Sequence, residues 1–215
     1  MNRTKKTLLS VLMLLLTTGA SAFPFISPYA YCNNNPVKFV DPDGRKIYIP
    51  RRFQPAVLQM INTYSKTQYK VDKKGYMCID KDAGINEKGS AHYSDRLDAT
   101  ISKKTKLTIM VGDTYTAKDG KTSKTYDVNK MGGGLTDKTN KMNVKTIVSE
   151  KGHIVHDTKG NEVKKPAGEV LIHEIVGHAA PAIVGTETGN AVENENIVRR
   201  ELNLSEREDE EKHYE

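Results

Sequence analysis

His173, Glu174 and His178, in the run His-Glu-Ile-Val-Gly-His, are the residues of this sequence whose types and spacing could do chemistry. Neutral imidazoles ligate zinc, and a carboxylate beside the first histidine can take a proton from a water held there. The familiar arrangement places the histidines four apart, about 40° round a helix at about 100° per residue. His173 and His178 are five apart, which on a regular helix is about 140° and aims the rings away from each other. A local bulge between them would bring them back together. Gly177, directly before the second histidine, eases such a distortion.

The elements around this run must position it. Glu169 to Ala180 carry Val170, Leu171, Ile172, Ile175, Val176 and Ala179, apolar on almost every side, so this helix is expected to be buried. A buried histidine or carboxylate needs a partner, and a zinc ion supplies one for all three. A second helix follows from Ala191. Placing its residues at about 100° intervals sets Glu195 in the apolar stripe with Val198 and Leu202, whereas Glu193 falls on the far side. Glu195 is therefore the expected third ligand, with Asn190, Asn196 and Arg199 as residues that orient a ligand or hold substrate. A purely structural reading instead pairs Glu174 with Arg199, and Glu195 with a lysine or arginine elsewhere.

Upstream, apolar spacing predicts a helix over 53–65, with Pro55 in its first turn, and another over 90–102 capped by Ser90. Strands are expected at 69–71 and 76–79 around a turn at Lys73-Lys74-Gly75, and at 106–112, the richest β-branched run. The polar stretch 113–143 reads as a loop with a hairpin. Residues 144–148 and 153–156 read as a second hairpin, with His153 and His156 exposed on opposite sides. Met131 to Leu135 lacks the lysine and hydroxyl residue of a phosphate loop. The expected fold is a small α+β domain in which a modest mixed or antiparallel sheet from 106–156 packs on the buried metal-binding helix.

The N-terminus reads as an export signal. Arg3, Lys5 and Lys6 precede an apolar run from Leu8 to Leu16, and Ala20-Ser21-Ala22 supplies small residues for cleavage. Removing residues 1–22 leaves 193 of the 215 residues, enough for one domain with a real core. Three of the six net positive charges sit in the signal, too little remaining basicity to argue for nucleic acid. Cys32 and Cys78 form one disulfide or are two small core residues. The tail from 206 to 215 is acidic.

Two stretches resemble known families. Tyr29-Ala30-Tyr31-Cys32-Asn33-Asn34-Asn35-Pro36 followed by Asp41-Pro42-Asp43-Gly44 resembles the end of the rearrangement-hotspot (RHS) repeat-associated core, where a shell gives way to a variable C-terminal toxin domain. No tyrosine-aspartate repeats precede it and Arg45 follows the glycine, so the family's encapsulation and self-cleavage are not implied here. His-Glu-Ile-Val-Gly-His resembles the His-Glu-x-x-Gly-His zinc motif of the dipeptidyl-peptidase III family, in which the inserted residue is accommodated and a glutamate on a following helix is the third ligand. The whole run from His173 to Leu202 is similar to zinc-metallopeptidase effector domains found behind RHS cores.

These resemblances imply a zincin-like domain over 50–205, behind an RHS-like segment over 23–49. The expected function is zinc-dependent peptide-bond hydrolysis by a secreted or periplasmic effector, with His173, His178 and Glu195 holding zinc and Glu174 as general base. A peptide or protein is the expected substrate and a cognate immunity protein a second candidate partner, with no nucleic acid and no stable membrane insertion. The alternative is a non-catalytic secreted binding or structural protein derived from an RHS fragment.

Overall fold

A computed structural model describes residues 47–119, 122–185 and 190–208. The export signal, most of the RHS-like segment, Cys32 and the last residues of the acidic tail lie outside the described residues. Within them the chain is mixed α+β. Strands β1 (Ile47–Tyr48), β4 (Lys106–Val111), β8 (Asn143–Val148) and β7 (Gly134–Asp137) form a four-stranded sheet in the order β1-β4-β8-β7. The first three run parallel, and β7 is antiparallel to β8, so the sheet is mixed.

Leu107 and Ile109 of β4, with Val144 and Val148 of β8, enter a core shared with helices α1 (Gln54–Tyr64) and α2 (Ala91–Ile101) through Val57, Ile61, Tyr93 and Leu97. The alternate residues Met110 and Ile147 face the other way, toward Tyr115 and Val128. That second side is covered by a hairpin of β5 (Thr114–Asp119) and β6 (Thr122–Asp127). Period-two alternation thus gives the sheet two covered faces, which suits a largely parallel sheet. Ser90 caps α2 by accepting a hydrogen bond from the Tyr93 amide, as its position predicts. A small hairpin, β2 (Tyr69–Val71) with β3 (Met77–Ile79), carries half-buried Cys78.

One expected pairing is wrong. Residues 144–148 and 153–156 do not form a hairpin with each other. Thr146 to Ser149 are buried without a break, so β8 is an interior strand and takes β4 and β7 as neighbours. Gly152, at φ +70°, turns the chain out of the sheet, and β9 (His153–His156) pairs with β10 (Glu162–Lys165). The charged run Glu162-Val163-Lys164-Lys165 and the near-polar Gly134-Leu135-Thr136-Asp137 gave no apolar alternation by which to read β10 and β7 as strands. The sheet therefore leaves out β9, takes in β1 from outside 106–156, and takes β7 from the stretch expected to be a loop with a hairpin.

One continuous helical stretch runs from Ala167 to Val184 and packs on β7 and β8. Its parts are α3 (Ala167–Ile172), a π-helical segment (His173–Ala179) and α4 (Ala180–Val184). Helix α5 (Ala191–Glu201) lies against the π segment. It begins with a capping box, the Asn190 side chain accepting from the Glu193 amide and the Glu193 carboxylate accepting from the Asn190 amide. Among the described residues no helix is long and apolar enough to cross a membrane.

Candidate metal centre

The extra residue between the histidines is absorbed by the π segment. Bonding from i to i+5 widens the turn, so residues five apart come to one side of the helix rather than diverging. The His173 and His178 rings stand edge to face with centroids 5.0 Å apart. Two local features favour the distortion. Pro181 contributes no amide hydrogen, withdrawing a bond from the end of the segment. Gly177 lets α5 come close: a β-carbon there would stand 2.7 Å from that of Ala191 and 3.1 Å from its α-carbon.

One ligand atom each from His173, Glu174 and His178 can be chosen so that all lie within 4.8 Å of one another. Among the described residues no other histidine, cysteine, aspartate or glutamate joins this group. His173 and Glu174 are buried and His178 is half-buried. Glu174 is set by β7, where the Thr136 hydroxyl donates to its Oε2 at 2.6 Å. The backbone of Gly134 lies against the same carboxylate, and a β-carbon at that position would be 2.6 Å from Oε1. Nothing in the sequence marks a functional residue on β7.

Glu195 is fully buried and faces inward, where it meets His173 of this group from behind and otherwise pairs with cations. Oε1 accepts from Lys165 Nζ at 2.5 Å and from Arg199 Nη1 at 3.3 Å. Oε2 lies 2.8 Å from His173 Nδ1 and 3.5 Å from Arg207 Nη1. Burial alone would raise the Glu195 pKa. The His173 hydrogen bond and the Lys165 ammonium outweigh it and hold the carboxyl well below the usual carboxylate range. Glu195 thus engages the Nδ1 side of His173, and holding that nitrogen leaves the other, Nε2, as the ring's remaining ligand atom.

The other predicted residues support this cluster. Arg199 bridges Glu169, at 2.8 Å, and Glu195, and also donates to the Ser205 carbonyl. It does not pair with Glu174, as the purely structural reading would require. Asn196 clamps the C-terminal segment, its side chain bonding the backbone of Arg207 at both ends, which brings the Arg207 guanidinium to His173. Asn190 is a helix cap. Lys165 and Arg207, both missed in the sequence, belong to segments whose charge reads as solvent-facing. Lys165 ends the charged β10, and only its pairing and burial reveal its role. Compared with protein-family models, curated proteins and solved structures, the chain has no match.

Proposed function

We propose that this protein is a zinc-dependent peptide-bond hydrolase with a zincin-like domain, secreted or periplasmic, and built as the effector end of an RHS-type protein. The observation that carries the reading is the π-helical His173–Ala179 segment, which turns a spacing wrong for a regular helix into a convergent pair of imidazoles beside a buried carboxylate. The donor set fits zinc: two imidazoles, one with its Nδ1 already engaged by a carboxylate, beside the buried Glu174. His173 and His178 would hold the ion, and Glu195 orients His173 from Nδ1 in place of acting as a ligand.

Zinc, when bound, polarises the scissile carbonyl and makes a water more acidic. Glu174, fixed by Thr136, takes one proton from the attacking water as its oxygen bonds the carbonyl carbon and the carbonyl π pair moves onto oxygen. When that pair returns and the carbon–nitrogen bond breaks, the same proton passes from Glu174 to the leaving amine. The substrate reading rests on β7. It is an edge strand, with no strand paired to its outer side among the described residues, and it carries Thr136, which touches Glu174. An extended peptide added along such an edge would pass its backbone beside the general base.

One observation favours the rival, non-catalytic reading: Glu195 is ion-paired to Lys165 and Arg199, as a structural role demands. Metal analysis of purified wild type, His173→Ala and Glu174→Gln separates the two. The hydrolase reading expects near-stoichiometric zinc in wild type and Glu174→Gln, its loss in His173→Ala, and peptidase activity in wild type alone. Wild type without zinc would sink it.

A further inference from the structure

We propose that His153 is a catalytic residue of this site, donating a hydrogen bond to the substrate carbonyl oxygen as it becomes anionic. The inference rests on the hydrolase reading above and adds a residue that the metal group does not contain.

Two independent routes place His153 there. On the β9–β10 hairpin, His153 is paired directly with Lys165, and directly opposed residues of an antiparallel pair project from the same face. Lys165 extends from that face to Glu195, whose other oxygen holds His173. His153 therefore stands on the side of the hairpin that looks onto the His173 network. The second route runs through Gly132, Gly133 and Gly134, the two residues before β7 and its first residue. A β-carbon on Gly132 would be 3.9 Å from the His153 Nε2, and one on Gly133 would be 3.2 Å from the His153 β-carbon. Gly134, the next residue, lies against the Glu174 carboxylate. One backbone thus touches His153 and Glu174 at successive residues. Gly132 and Gly133 hold φ angles of +83° and +79°, which other residues rarely adopt. Glycines are required here both for that backbone and for the approach of the two side chains.

The chemistry of the ring suits the role. It is half-buried, reachable yet shielded. Burial, then the charges of Arg207 and Lys165, push its pKa down, which favours the neutral imidazole, a ring with one N–H to donate. A donor aimed at developing negative charge stabilises the transition state more than the ground state. His156, three residues on, is exposed and does not share the position.

The test uses acetohydroxamate, a small anion that places an oxygen at a metal, titrated into the cobalt-loaded full-length protein and followed by the visible absorption of cobalt. His153→Ala should keep wild-type metal stoichiometry yet bind acetohydroxamate about tenfold more weakly, with partial recovery in His153→Gln, which retains a donor. Equal affinity in His153→Ala and wild type would overturn the proposal, and so would loss of metal from His153→Ala. Wild type that takes up no metal would instead overturn the hydrolase reading, taking this inference with it.

Discussion

The Glu195 carboxylate lies 2.8 Å from Nδ1 of His173, and its second oxygen lies 2.5 Å from the Lys165 ammonium. Both charged partners are almost wholly buried. One carboxylate therefore has two tasks: it neutralises a lysine that the fold has taken out of water, and it fixes the orientation of an imidazole. The first is a matter of stability and the second of metal binding, and they can be separated.

Glu195→Gln keeps the shape and removes the charge. Lys165 then lacks its counter-ion, and breaking a buried pair in this way costs about 3–5 kcal/mol. Urea unfolding should show that loss. Zinc affinity should fall by about 10–100-fold, the range for removing a partner that orients a ligand. A cobalt spectrum of unchanged shape is expected, because the group bound to the metal is the same. A changed spectrum would make Glu195 a ligand instead.

Gly134→Ala perturbs Glu174 without replacing it. The new methyl would stand 2.6 Å from Oε1 and 2.7 Å from Cγ, so the Glu174 side chain must shift from Cγ outward. Zinc content should hold, and peptide hydrolysis should fall at least about tenfold, toward the roughly 100-fold or greater loss expected for Glu174→Gln. Unchanged hydrolysis in Gly134→Ala would show that the seat of Glu174 on β7 is unimportant.

Gly177→Ala tests the helix contact. Its methyl would meet the Ala191 β-carbon at 2.7 Å and the backbone of Ala191 at 3.1–3.2 Å, and backbone cannot swing aside. Alanine favours a helix by up to about 1 kcal/mol over glycine, yet overpacking of about 1–3 kcal/mol should outweigh it. Lower stability and weaker zinc binding are expected together, since α5 carries Glu195. A more stable Gly177→Ala protein would contradict the packing described.

Acid sensitivity should trace in part to Asp113. Lys151 and the Ser149 hydroxyl, bonded to it at 2.6 and 2.7 Å, hold its pKa down to about 2. The unfolded value is about 3.9. A carboxylate depressed in the fold stabilises above the unfolded value, and that contribution fades as pH falls toward the folded one. Asp113→Asn should therefore flatten the decline of the urea midpoint between about pH 4 and pH 2. An acid limb identical to wild type would remove Asp113 from the account.

The sequence by itself determined the local elements and the need for a distortion. Apolar spacing marked α1 and α2 within a residue or two, the β-branched run marked β4, and five-residue histidine spacing in a helix apolar on almost every side required a bulge if the two were to share a site, because no regular helix brings such rings together. The inward face of Glu195 was legible for the same reason: helical periodicity is a property of neighbours in sequence. Tertiary structure alone decided what Glu195 touches, which strands pair, and which polar residues are buried. Lys165 comes from a strand written Glu-Val-Lys-Lys, Thr136 from one with a single apolar residue, and Arg207 from a charged tail. No local pattern separates a solvated lysine from one paired inside a protein. That difference is made by burial and by partners about 30 residues away, which exist only once the chain has folded.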